Sequence, residues 1–151
     1  MKNTMKLEVL AQSVNESFAR SVVAAFALPL NPSLSVLSDI KTAVSEAVTN
    51  CIVHAYRGSD LPPEHRKVIV EATTQKQGEK GELHIKITDF GTGIEDLSMA
   101  MTPFYTTLDE EERSGMGFTV MQAFMTEVTV ESEKGKGTVV LMKKIFDEDG
   151  E

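Results

Sequence analysis

The stretch Leu83-His-Ile-Lys-Ile-Thr-Asp-Phe-Gly-Thr-Gly93 holds a strand and the end of a strand in eleven residues. Leu83, Ile85 and Ile87 alternate with His84, Lys86 and Thr88, the two-residue repeat of a strand with one buried face. Asp89 follows, then Gly91 and Gly93, a tight backbone segment. A carboxylate there can accept a hydrogen bond from an exocyclic amine such as that of adenine, and glycines let a flat base approach the backbone. A strand-end Asp with a plain glycine turn is the simpler alternative. Asp89-Phe90-Gly91 also matches a protein-kinase tripeptide, but the catalytic-loop and strand-lysine signatures are missing. A dinucleotide fingerprint fails as well, because the third glycine is absent. Upstream, Val68-Ile-Val70 is a second apolar run, and the polar stretch Gln75–Gly81 reads as the connection of a hairpin.

Working outward, Met5, Leu7, Val9 and Ala11 alternate with Lys6 and Glu8, with Leu10 as the exception, and predict a first strand. Ser13-Val-Asn-Glu16 reads as a capping box, with Ser13 capping a helix and Glu16 reaching back. That helix runs to about Leu28 and is stopped by Pro29 and Asn31-Pro32. A second helix extends from about Ser33 to Tyr56, its apolar positions Leu37, Ile40, Val44, Ala47, Cys51 and Ala55 stepping by three and four. Arg57 to Arg66 is a loop marked by Gly58-Ser-Asp and Pro62-Pro63. On the other side, Met99 to Ser114 has no clear period and reads as a lid over about 99–114. Gly115-Met-Gly117 opens a helix through about Met125, Val128 and Val130 form a strand, Lys134-Gly-Lys-Gly137 turns, and Thr138–Met142 returns. An acidic end over about 147–151 reads as frayed. Strands arriving in hairpin pairs predict a mixed, mostly antiparallel sheet with helices on one face. That is an α+β class, a two-layer α/β sandwich, as one domain over 1–151.

Composition sets the outer limits. The 151 residues are one domain's worth, with 41% hydrophobic and 25% charged residues. No apolar run approaches the ~18–20 residues of a membrane span, and Met1-Lys-Asn-Thr-Met-Lys has no signal-like apolar region behind it, so a cytoplasmic protein is expected. Fifteen basic residues against 23 acidic ones leave a net charge of −8, which argues against nucleic acid and anionic membrane as partners. The single Cys51 excludes an internal disulfide and a multi-cysteine zinc site. Any metal should be a hard cation held mainly by oxygens.

Glu46, Asn50 and His54 fall at i, i+4 and i+8 of the long helix, on one stripe bordering its apolar face. An amide oxygen there suits Mg²⁺, and a carboxylate one turn away suits a general base. The wet flank of an amphipathic helix is the plainer reading of the same residues. In Arg113-Ser-Gly-Met-Gly117-Phe the glycines expose N–H groups at a helix start, where an anion is favoured, and Arg113 can add a charged contact to a terminal phosphate. A glycine-rich helix entry without ligand accounts for it equally. Gly135-Lys-Gly137-Thr138 is a turn whose last residue can either contact a base or simply enter the strand.

Taken together, the order of these pieces resembles the GHKL nucleotide-binding fold of histidine kinases and gyrase. Within it the chain is most similar to the serine-kinase anti-sigma factors of spore-forming bacteria, over nearly its whole length. The likeness is strongest in Asn15-Glu-Ser-Phe-Ala-Arg20, Val44-Ser-Glu-Ala-Val-Thr-Asn50 and Arg113-Ser-Gly-Met-Gly-Phe-Thr119, with Pro103-Phe-Tyr-Thr-Thr107 and Lys136-Gly-Thr138 in support.

The resemblance implies ATP and Mg²⁺ as cofactors. It makes Glu46 the base toward a serine hydroxyl of an anti-anti-sigma protein, Asn50 the Mg²⁺ ligand and Asp89 the partner of the adenine amine. Gly91 and Gly93 would line the base pocket, and Thr138 would support adenine through water. Gly115 and Gly117 would hold phosphates, with Arg113 at the γ-phosphate and Thr107 and Met116 in the same site. Arg20 would lie on a surface that binds a sigma factor and the anti-anti-sigma protein. A homodimer through the sheet edge or first strand is also implied. Two departures stand out: the span from Arg57 to Glu82 looks longer than the family's connection, leaving strand register open, and Phe90 replaces a commonly polar residue. A kinase for a general-stress sigma factor and a non-catalytic ATP-binding module are the competing functions. A histidine-kinase fragment is disfavoured, because His54 and His65 lack a dimerisation-helix context.

Overall fold

A computed structural model describes residues 2–94 and 117–147. The lid segment, Thr107, Arg113, Gly115, Met116 and the acidic end beyond Asp147 lie outside the described residues. Strand β1 (Lys2–Leu10) leads into helix α1 (Val14–Ala27), and α2 (Leu34–Asn50) follows after a short 3₁₀ turn. Strands β2 (Lys67–Gln77) and β3 (Lys80–Asp89) come next, then α3 (Gly117–Phe124), β4 (Glu127–Glu133) and β5 (Gly137–Asp147). The sheet order is β1-β2-β3-β5-β4.

Every neighbouring pair of strands is antiparallel, so the expected mixed sheet is corrected to a wholly antiparallel one among the described residues. Connectivity explains this. The α1–α2 pair carries the chain away and back, so β2 starts where β1 ended and runs against it. Helix α3 crosses once and makes β4 parallel to β3, but β5 lies between them. The register left open by the sequence is continuous: Val68 faces Asp89, Val70 faces Ile87, and Gln77 faces Lys80. The polar stretch Gln75–Gly81 is therefore mostly strand, and the turn itself is only Gly78-Glu79, with Gly78 at φ +62°. The last strand likewise outruns Thr138–Met142 and takes in Asp147, which the sequence reading had placed in a frayed end.

The capping box fails. Ser13 has helical φ/ψ and its side chain makes no cap hydrogen bond, while Glu16 pairs with Arg20 one turn on at 3.4 Å. Asn15 instead turns back, its Nδ2 donating to the Leu10 carbonyl at 2.8 Å to fasten the end of β1. Ser33 is a true cap: its Oγ accepts from the Val36 N–H at 3.1 Å. Helix α2 is buried along Val36, Ile40, Ala43, Val44, Ala47 and Val48; of the expected stripe Ile40, Val44, Ala47 and Cys51 are buried, while Leu37 turns to the α1–α2 groove and Ala55 is half-buried. That stripe meets Val68, Val70, Leu83, Ile85 and Ile87 of the sheet, with Phe118 and Met121 of α3 and Phe146 completing one core. Among the described residues no helix is long and apolar enough to cross a membrane.

Candidate functional site

Alternation decides where Asp89 stands. Leu83, Ile85 and Ile87 face the helices and are buried, and Asp89 continues the same face at 5% exposure. A carboxylate in that position needs donors. Its Oδ1 accepts from the N–H of Gly91 at 3.0 Å and from that of Thr138, its cross-strand neighbour, at 3.2 Å. Its Oδ2 accepts only the weak thiol donor of Cys51, at 3.6 Å, among the described residues. Burial pushes the Asp89 carboxyl above its ordinary range, with the Gly91, Cys51 and Thr138 donors pulling it back in part. The Cys51 thiol is pushed well up by burial and then by the neighbouring Asp89 charge, so it stays protonated and donates. An oxygen with one weak donor in a buried setting keeps room for an N–H from a ligand.

The segment after Asp89 is fastened to the end of α2, where the helix widens into a π turn over Cys51–Ala55. The Thr92 N–H donates to the Ala55 carbonyl at 2.8 Å, and the Phe90 N–H donates to the Tyr56 hydroxyl at 2.9 Å. A Cβ on Gly91 would come within 1.9 Å of the Ala55 oxygen. Gly93 (φ +81°) would meet the Glu133 carbonyl at 2.3 Å. Both glycines are thus required by chain-to-chain packing before any ligand is considered. Across the sheet, the Gly135 N–H donates to the Thr92 carbonyl at 2.7 Å. The Ile94 N–H donates to Ser132 Oγ at 2.7 Å, and Ser132 Oγ lies 2.8 Å from the Thr138 hydroxyl.

Glu46 and Asn50 lie one turn apart on α2, both half-buried. Asn50 immediately precedes Cys51, so the helix that carries it is tied to Asp89 by side chain as well as sequence. The buried Asn50 Nδ2 has no hydrogen-bond partner among the described residues. Amide oxygen and nitrogen exchange by a half-turn of the side chain, so this position suits an oxygen donor to a hard cation. Glu46 also borders a groove of about 630 Å³ between α1 and α2, which Arg20 and Lys41 share. Gly117 starts α3 and is buried. The described residues therefore bring Asp89, Gly91, Gly93 and Thr138 together at one end of the sheet. Arg20 stands apart on α1, paired to Glu16.

The sequence reading missed Cys51, Tyr56 and Ser132 as members of this network. Cys51 and Tyr56 carry no motif of their own; only the π turn and the β2–β3 register bring them beside Asp89. Ser132 could be inferred only by pairing β4 with β5, where it faces Thr138.

A family model described as the histidine kinase-like ATPase domain matches residues 9–144. The anti-sigma F factor of Clostridium kluyveri is 52% identical over 144 residues, 95% of each chain. That of Thermoanaerobacter sp. strain X514 is 52% identical over 147 residues, covering 97% of this chain and 96% of the relative. Among solved structures, the RsbU and RsbW domains of Rv1364c from Mycobacterium tuberculosis share the fold, with a TM-score of 0.60 at 14% identity. The match covers 94% of this chain and spans about a third (32%) of that longer one. Among the described residues a five-stranded sheet under three helices and a buried strand-end aspartate, together with half-identity across relatives covered to 95% or more, lead to one conclusion: this chain belongs to the histidine kinase-like ATPase domain family, in the branch whose members are named anti-sigma F factors.

Proposed function

We propose that this chain is an ATP-dependent serine-protein kinase and anti-sigma factor, which holds a sporulation sigma factor and phosphorylates a serine of the opposing anti-anti-sigma protein. The observation that carries this reading is the buried Asp89, whose Oδ2 keeps capacity for an amine while Cys51 ties it to the helix bearing Glu46 and Asn50. The full-length kinship with anti-sigma F factors supports the sigma-factor partner.

In this reading Asp89 orients the adenine base, with Gly91, Gly93 and Thr138 around it. Asn50 would hold Mg²⁺, which when bound neutralises charge on the phosphates and so favours phosphoryl transfer. Glu46, one turn from Asn50, takes the proton from the acceptor serine as its oxygen attacks the γ-phosphorus and the bond from that phosphorus to the bridging oxygen breaks, releasing ADP. Arg113, Gly115 and Gly117 stabilise the phosphates, with Thr107 and Met116 beside them; of these only Gly117 lies among the described residues. Arg20 belongs to the protein-binding surface, and its pairing with Glu16 holds the guanidinium at the edge of the α1–α2 groove. Strand β1 ends the sheet and leaves an edge for a homodimer. ATP favours the sigma factor and ADP the unphosphorylated anti-anti-sigma protein, a reciprocal coupling through the lid.

The test is label transfer. With γ-labelled ATP, Mg²⁺ and clarified lysate of the source cells, the purified protein should place acid-stable phosphoserine on one small protein. Label released only as inorganic phosphate, or left on ATP, would withdraw the catalytic role of Glu46.

A further inference from the structure

Tyr56 belongs to no recognised motif, yet it is 4% exposed and its hydroxyl is fully used. It donates to the Lys67 carbonyl at the start of β2 and accepts from the Phe90 N–H at 2.9 Å, directly after Asp89. One phenol therefore joins the close of the π turn, the entry of β2 and the exit of β3. The contacts on either side act in the same direction. Ala55, one residue before, accepts from Thr92, and Cys51, one turn before, donates to Asp89. Gly91 is pressed against the Ala55 carbonyl between them. Phe90 itself is 46% exposed and cannot anchor the segment by burial, so its backbone N–H does so.

From this arrangement we infer that Tyr56 is a positioning residue of the nucleotide site, which sets base discrimination by fixing the backbone that aims the Asp89 carboxylate. The inference rests on the reading of Asp89 as the partner of the adenine amine. Asp89 takes two of its three donors from backbone N–H groups, one of them in the segment that Tyr56 holds. Without the hydroxyl, the Phe90 N–H loses its partner in a half-buried place, and relief comes by shifting the Phe90–Gly91 backbone. Oδ1 then loses its alignment, and Oδ2 no longer points where an amine can meet it. In the proposed function the phosphates are held by Arg113, Gly115 and Gly117 rather than by Asp89.

The experiment compares ATP with inosine triphosphate, which carries a carbonyl oxygen where adenine carries its amine. Both are titrated calorimetrically with Mg²⁺ into the wild-type protein, Tyr56→Phe and Thr126→Val. Thr126 is a surface control away from the site, where a hydroxyl also accepts from a backbone N–H: its Oγ1 accepts from the Ile145 N–H at 2.9 Å. The wild type should prefer ATP. Tyr56→Phe should bind ATP about five- to 150-fold more weakly, the span of one lost partner to a buried polar group, and inosine triphosphate as before. Thr126→Val should lower thermal stability and keep the wild-type preference. Equal weakening of both nucleotides by Tyr56→Phe would reduce Tyr56 to a structural residue and overturn the inference, as would an unchanged preference. A wild type without preference would instead remove the reading of Asp89, and the inference with it.

Discussion

Asp89 sets the demands of folding against those of the adenine contact proposed for it in one side chain. Burial at 5% exposure raises the Asp89 carboxyl above its ordinary value in the ligand-free chain, and two backbone donors and a thiol pull it back only in part. The sign of the consequence follows. With the folded-state value raised, the contribution of Asp89 to stability is complete below the ordinary carboxylate value and is lost as pH rises through the raised one. Asn in its place has no such loss. The stability advantage of Asp89→Asn over the wild type should therefore widen between acidic pH and pH 7 in urea unfolding of the ligand-free proteins. A gap that narrows over that interval would show that the neighbouring N–H groups outweigh burial. The identity of Asp89 was legible in the sequence, because alternation from Leu83 to Ile87 puts it on the core face. Its donors were not. Cys51 lies 38 positions away and Thr138 49 positions away, and a register is needed to bring them in.

Among the elements, helix starts show where local sequence is sufficient and where it is overruled. Ser13-Val-Asn-Glu16 has the capping-box letters, but β1 ends at Leu10 and Asn15 is committed to its carbonyl. The entry angle that this fixes leaves Ser13 in helical conformation, with no free N–H for it to cap. Ser33 has fewer letters in its favour and does cap, because its extended backbone (Ser33 ψ 165°) brings Oγ to the Val36 N–H. Ser33→Ala should cost about 1 kcal/mol of unfolding free energy, whereas Ser13→Ala should stay within about 0.5 kcal/mol. Chemical denaturation of both variants distinguishes them, and a larger loss from Ser13 would contradict the assignment. The π turn after Asn50 was equally hidden. Its apolar positions keep a helical period through Ala55, so only the demand of Thr92 for the Ala55 carbonyl reveals the widening.

At the scale of the whole chain, the sheet joins nearly everything the sequence had left separate. The hairpin pairs were readable from their apolar alternation, and so was the placement of helices on one face. Strand order was not. That β5 inserts between β3 and β4 depends on the α3 crossover, and this insertion puts Thr138 opposite Asp89 and Ser132 beside Thr138. The molecule thus assembles the Asp89 end of its sheet from residues of β3, β4, β5 and the π turn after α2, while Glu46 and Asn50 lie along α2. Such an arrangement separates binding from chemistry. In the function proposed above, Asp89 governs whether ATP is held, and Glu46 governs what becomes of its phosphate. The measurement that separates them most directly is calorimetric titration of Mg²⁺-ATP into the wild type, Asp89→Asn and Glu46→Gln. Asp89→Asn should lose roughly a hundredfold or more in affinity, in keeping with about 3 kcal/mol for a buried charge-assisted partner, while Glu46→Gln stays within about threefold of the wild type. Wild-type affinity in Asp89→Asn, or a loss in Glu46→Gln as large as that in Asp89→Asn, would contradict the account.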